Sequence, residues 1–211
     1  MRGALFVLAL LTLGAGCGGD DEPAASGGEC ENVEAPAPRE PGTHEAPSGL
    51  LDAGTSYGLV FETSCGAFTV DLDTELAPNT AASLVELARH GYYDDTIFHR
   101  IVPGFVIQGG DPTQKGSGGP GYKTVDAPPA GSRYVKGVVA MAKTQVEAAG
   151  TSGSQFFVVT GADVGLPPEY AVIGKVTDGM DVVNRIGRLG DPTTEEPTQV
   201  VAITKMRAES S

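Results

Sequence analysis

Phe98-His99-Arg100-Ile101-Val102-Pro103-Gly104-Phe105-Val106-Ile107-Gln108-Gly109-Gly110-Asp111 is the stretch on which the reading of this chain turns. Two strand-like runs, Ile97 to Ile101 and Phe105 to Gln108, stand on either side of Pro103-Gly104. Pro presets a turn φ and Gly tolerates a positive one, so the pair punctuates two neighbouring strands. One guanidinium, Arg100, sits inside otherwise apolar sequence, which singles it out from the charges on solvated faces. The Gly-rich run from Gly109 to Gly121 invites comparison with a phosphate-binding loop. It lacks the Lys-Ser/Thr ending and the helix that such a loop needs, and reads as a surface loop.

Working outward, Tyr57 to Thr63 and Ala67 to Leu72 alternate around Ser64-Cys65-Gly66, the pattern of a hairpin. Pro78-Asn79-Thr80 opens a helix whose apolar face carries Ala82, Val85, Leu87 and Ala88, and His90-Gly91 closes it. Val135 to Ala142, Phe156 to Val159, Ala171 to Val176 and Val200 to Met206 read as further strands, and Met180 to Ile186 as a second short helix. Many strands with two helices predict a mainly β fold, an antiparallel sheet curled on itself with helices over its open ends. With 30 Gly and 15 Pro, the composition also favours turns and strands over a helical bundle.

The formal net charge is −13, and there is no basic stripe, so a nucleic-acid partner is not expected. Much of the acidity lies in residues 18–56, where nine acids face Arg39 alone. This segment, rich in Gly, Pro, Glu, Asp and Ser, has too few large apolar residues to offset its ordering entropy. Residues 17–56 are therefore expected to form a disordered tether, with His44 solvated.

Before it, Met1-Arg2 and the apolar run Ala4 to Leu13 form a signal peptide over residues 1–16, too short to span a bilayer. Ala15-Gly16-Cys17 resembles a bacterial lipoprotein cleavage site, with Gly14 where such sites usually have Leu. The expectation is an extracytoplasmic protein anchored to the cell membrane by a lipid on Cys17. Ordinary secretion is the alternative. If Cys17 carries lipid, Cys30 and Cys65 remain as an even pair in an oxidising compartment, which favours a disulfide over two free thiols. No Cys-x-x-Cys or His cluster offers a metal site.

The block Phe98 to Asp111 resembles the central signature of the cyclophilins. Two more blocks resemble the same family: Val138-Val139-Ala140-Met141-Ala142 leading into Gly153-Ser154-Gln155-Phe156-Phe157, and Leu166 to Val176. The resemblance covers about residues 57–207. It implies an eight-stranded antiparallel closed barrel capped by two α-helices, a monomer needing no cofactor or metal, and isomerisation of X-Pro bonds. With the targeting segment, the expected clients are Pro-containing exported polypeptides that fold at the envelope. The alternative is an envelope module that binds Pro-peptides without turning them over, and the presence of Arg100 weighs against it.

The resemblance also assigns roles. Arg100, Phe105 and Gln108 are the expected catalytic residues, with Arg100 donating to the prolyl nitrogen and Gln108 holding substrate backbone and orienting Arg100. Phe105, Met141, Phe157 and Leu166 would form the proline socket. Ala142 and Lys143 would pair their backbone with the peptide, Gln155 would line the same groove, and His99 would support Arg100. Some positions depart from the familiar eukaryotic members: Lys143-Thr144 replaces Asn-Ala, the loop from Gln145 to Ser152 is longer, and Tyr170 stands in place of His. Tyr170 can still close the socket.

Overall fold

The computed structural model describes Met1 and residues 28–211. The signal peptide beyond Met1, and Cys17, lie outside the described residues. The elements run β1 (Tyr57–Thr63), β2 (Gly66–Leu72), α1 (Pro78–Arg89), β3 (Thr96–Ile97), β4 (Arg100–Val102), β5 (Val106–Gly109) and β6 (Thr124–Val125). There follow β7 (Val138–Met141), β8 (Thr151–Ser152), β9 (Phe156–Val159), β10 (Val172–Asp178), α2 (Met180–Ile186) and β11 (Ala202–Ser210).

Nine strands make one sheet in the order β3-β11-β1-β2-β10-β7-β9-β5-β4, and its pairings are antiparallel. β6 and β8 pair separately. The expected closed eight-stranded barrel is therefore corrected to a curled half-barrel of nine strands with two helices. The reason lies in the segment read as a single strand from Ile97 to Ile101. It is split into β3 and β4 by Phe98 and His99, and its halves form the two opposite edges of the sheet. Phe98 turns into the core, where it is fully buried, and donates its N–H to Val201 O rather than to a ladder partner.

The concave side holds the main core. Phe61 and Phe68 stack at 4.5 Å between ring centres, and Phe98 meets Phe156 edge-on at 6.0 Å. Leu84, Leu87 and Ala88 of α1 and Val182, Val183 and Ile186 of α2 complete this cluster, so each helix buries one apolar face against the sheet. Pro78 at the first helical position has no N–H to leave unpaired. The next donors are met from outside the helix: Asp126 Oδ2 accepts from Thr80 N at 2.7 Å and from Thr80 Oγ1 at 2.6 Å. α2 begins after Gly179, at φ +73°, where a Cβ would lie 2.4 Å from Ala67 O; only glycine fits there.

The segment expected to be a free tether is different over its described part. Cys30 is joined to Cys65, and Glu31 N donates to Ser64 O at 2.7 Å. Further along, Arg39, Gly42 and His44 donate their N–H groups to Pro112, Gly119 and Pro120. Composition did not reveal this, because the segment is held by hydrogen bonds and one covalent link rather than by large apolar side chains.

Candidate active site

On the convex side, four neighbouring strands bring one residue each into a row. Arg100 of β4 lies opposite Gln108 of β5, Gln108 opposite Phe157 of β9, and Phe157 opposite Ala140 of β7. Directly opposed residues of an antiparallel sheet share a face, so a cation, an amide, an aromatic ring and a methyl form one strip. Val106 lies two residues before Gln108 on the same strand and hence on the same face. Phe105, Leu166 and Tyr170 pack around the strip from the connecting loops.

Arg100 has a side chain 34% exposed, enough to reach solvent and little enough to be held. Its Nε donates to Glu195 Oε2 at 2.7 Å and its Nη1 to Gln108 Oε1 at 3.3 Å. Glu195 itself has φ +62°, an uncommon conformation for a residue with a side chain. Bonds on both sides of its backbone hold it there, from Glu195 N to Asp191 O and from Ile101 N to Glu195 O, each 2.9 Å. Asp191 Oδ1 also accepts from Thr194 N and Thr193 N, bonds that hold its carboxyl below its usual range. Gln108 Nε2 donates to Gln155 Oε1 at 3.1 Å, and Gln155 Nε2 to Gly118 O at 3.0 Å.

Beside Arg100 is a cavity of about 280 Å³, lined by Phe105, Val106, Ala142, Phe157, Leu166 and Tyr170 among others. The Tyr170 ring meets Phe157 edge-on at 5.6 Å. Tyr134 fixes it from beneath: its hydroxyl donates to Tyr170 O at 2.7 Å and accepts from Tyr170 N at 3.0 Å. The Lys143 side chain is 2% exposed, with Nζ 3.1 Å from Glu169 Oε2 and 5.4 Å from the Tyr170 ring centre. Its charge is thus paired with a half-exposed carboxylate at the edge of the wall. The N–H of Ala142 donates to Gln155 O.

A second cavity of about 280 Å³ adjoins the first, lined in part by Gln108, Gly118, Lys123, Lys143, Glu147 and Gln155. The longer loop forms its rim and is pinned. Glu147 accepts from Thr144 N and Oγ1 and pairs with Lys123 at 2.8 Å. The Lys123 ammonium, with help from Thr144, pulls the Glu147 carboxyl down to about 2.

The structure brings together Arg100, Phe105, Gln108, Ala142, Lys143, Gln155, Phe157, Leu166 and Tyr170. Met141 is the exception. It is fully buried in the concave core, because it neighbours Ala140 along β7 and so points to the other face. Val106 lines the socket instead. His99 is half-buried, with both ring nitrogens buried and without a hydrogen-bond partner among the described residues. Burial, aided by the Arg100 charge and opposed by Asp111, pushes its pKa below the usual imidazole value. A half-buried ring next to Arg100 along the chain, held below its usual pKa, fits support rather than proton transfer. Sequence reasoning missed Val106, Tyr134 and Glu195. Strand alternation from Gln108 would have found Val106, whereas no local pattern points from Arg100 to a glutamate 95 residues later.

Residues 59–208 match the family model described as cyclophilin type peptidyl-prolyl cis-trans isomerase/CLD. The peptidyl-prolyl cis-trans isomerase-like 1 of Gibberella zeae is 38% identical over 153 residues, 71% of this chain and 93% of that protein. Peptidyl-prolyl cis-trans isomerase CYP18-2 of Arabidopsis thaliana is 35% identical over 158 residues, 73% of this chain and 94% of that protein. A crystal structure of a cyclophilin type peptidyl-prolyl cis-trans isomerase from Cryptosporidium parvum is similar with a TM-score of 0.67 at 30% identity. It covers 74% of this chain and 99% of its own. Another, described as being in the presence of the dipeptide Ala-Pro, has a TM-score of 0.66, with 73% and 99% covered.

Proposed function

We propose, for a chain that belongs to the cyclophilin-type peptidyl-prolyl cis-trans isomerases, that its substrates are X-Pro bonds of exported proteins folding at the cell envelope. The chain is an isomerase of this type, and its residues supply a route for the reaction. An amide resists rotation by about 18–20 kcal/mol because the nitrogen lone pair is delocalised into the carbonyl. An isomerase needs no nucleophile; it must bind the twisted amide better than either planar form. Twisting returns the lone pair to the prolyl nitrogen, which then accepts a hydrogen bond.

Arg100 is the donor in this mechanism. Glu195 holds its Nε and Gln108 its Nη1, so the guanidinium is oriented before substrate arrives. Phe105, Val106, Phe157 and Leu166 would take the proline ring, with Tyr170 closing the socket. The ring places the prolyl nitrogen, and the apolar walls exclude the water that would weaken the bond. Gln108, Gln155 and the backbone of Ala142 and Lys143 would hold the flanking peptide. Uncatalysed X-Pro exchange takes tens to hundreds of seconds, long enough to limit folding of a newly exported chain.

The observation that carries the location is Ala15-Gly16-Cys17 after the short apolar run Ala4 to Leu13. The paired Cys30 and Cys65 support it, since disulfides persist in oxidising compartments. A lipid on Cys17 would leave thirteen residues to the first fixed point at Cys30, a reach of at most about 45 Å. Cell fractionation of wild type and Cys17→Ala, each assayed on an X-Pro peptide, tests the reading. The expected result is activity in detergent-soluble membrane fractions for wild type and in aqueous fractions for the variant. Identical fractionation would overturn it.

A further inference from the structure

We infer that residues 30–44, a strap N-terminal to the sheet, are a positioning element for catalysis. The strap holds the far end of the amide chain that ends on Arg100. The starting point is the polarity of that chain. At one end, Arg100 Nη1 can only donate. At the other, Gly118 O can only accept. Between them lie two primary amides, each of which could be turned around. With both ends fixed, a single arrangement satisfies every bond: Gln155 turns Nε2 to Gly118 and Oε1 to Gln108, and Gln108 then turns Oε1 to Arg100. Arg100 alone sets the direction of the chain; the Gly118 carbonyl anchors its far end. If that carbonyl leaves, Gln155 and then Gln108 lose the tether that keeps Gln108 Oε1 on Arg100 Nη1.

What keeps the carbonyl in place is a loop clamped from two sides. Within the molecule, Gly118 N donates to Asp111 Oδ2 at 3.0 Å, and a Cβ on residue 118 would fall on the Asp111 carboxylate. On the outside, the strap runs along the same loop. Arg39 N donates to Pro112 O at 2.8 Å, Gly42 N to Gly119 O at 2.9 Å and His44 N to Pro120 O at 2.8 Å. In return, Gln114 Nε2 donates to Pro36 O at 2.8 Å. The strap is then tied down beyond the loop. Arg39 Nη2 donates to Tyr92 O at 2.6 Å and to Asp94 O at 3.0 Å, and the Cys30–Cys65 bond fixes its start. Gly-rich loops are otherwise costly to order, because glycine loses the most conformational freedom on folding. The strap places bonds on both sides of Gly118 and thereby offsets that cost where the amide chain needs it.

The test uses the full-length chain. Cys30→Ser/Cys65→Ser/Arg39→Ala removes the link and the Arg39 side-chain ties without touching a groove residue. Amide exchange at residues 112–121 should rise. The kcat on an X-Pro peptide should fall about three- to tenfold, the range of one or two ordinary hydrogen bonds, with KM little changed. Gln155→Ala should then cost less in this background than in wild type, because the chain it terminates is already unfixed. Unchanged exchange would show that the strap does not clamp the loop. Raised exchange with full kcat, or an equal cost of Gln155→Ala in both backgrounds, would show that the clamp does not reach Arg100. Each of these results overturns the inference. Should the triple variant fail to fold, Gln114→Ala removes the Pro36 bond alone and faces the same three readouts with a smaller loss.

Discussion

Two adjacent rows of the same four strands have opposite characters. Arg100, Gln108, Phe157 and Ala140 form one row; Ile101, Ile107, Val158 and Val139 form the next, one residue along each strand. The first row lies on the convex side, partly open and carrying the cation and the amide. The second is sealed in the core, each member at 0% exposure. Strand alternation thus separates two jobs within a few ångströms: the inner row holds the sheet in its curl, and the outer row presents chemistry on it. A change in one row should therefore be felt as stability, and in the other as rate.

Ile107→Ala tests the inner row and carries the largest expected effect. It removes a buried aliphatic group from the middle of the core and should destabilise the fold by about 2–5 kcal/mol. The kcat per folded molecule should stay near wild type, read by active-site titration beside urea unfolding. A large loss of kcat in fully folded protein would break the separation. Arg100→Ala tests the outer row. It should lower kcat/KM by roughly 10²–10³-fold, about 2.7–4 kcal/mol of transition-state stabilisation, and leave the urea midpoint almost unmoved. Full activity in the folded variant would remove Arg100 from its assigned role.

The rows also show what the sequence made legible. The hairpin β1-β2, both helices and the pair β4-β5 could be read because each rests on a local signal: alternation, a Pro at a helix start, a Pro-Gly turn. The edges of the sheet could not, since the split at Phe98-His99 is imposed by the core that Phe98 enters. At the site, the resemblance names Arg100, Phe105, Gln108 and Phe157, and the structure puts Arg100, Gln108 and Phe157 on one strip with Phe105 packed beside it. Met141 was placed in the wrong row because a motif match does not state a facing, although the strand period does. Tyr134 and Glu195 act on Tyr170 and Arg100 through long-range contacts, which leave no mark on the local pattern.

Glu195 sharpens the comparison, because it touches the outer row from outside the sheet. Glu195→Ala should lower kcat about tenfold while KM for a small X-Pro peptide stays within twofold, since Arg100 keeps its charge but loses its fixed Nε. Glu195→Gln keeps an acceptor in the same place and should recover part of the loss. If loop 191–197 serves only the fold, both variants would instead share a lowered melting temperature and an unchanged kcat.

The smallest effect concerns His99, which precedes β4 and stands next to Arg100 along the chain. Its pKa lies below the usual imidazole value, chiefly through burial. The folded state therefore resists protonation that the unfolded chain accepts near pH 6.5. The sign follows: stability from the neutral ring is fully present above about pH 6.5 and is lost as pH falls towards the folded-state pKa. Catalysis needs neither an acid nor a base, and Arg100 stays charged throughout, so kcat/KM should be flat from about pH 7 to 9. A decline should begin only on the acid side, when a second positive charge appears beside Arg100. His99→Asn should keep most of the activity at pH 7.5 and flatten the acid limb of both profiles. A wild-type kcat/KM that titrates between pH 7 and 9 would show that a proton transfer contributes after all, and His99 would become the first group to suspect.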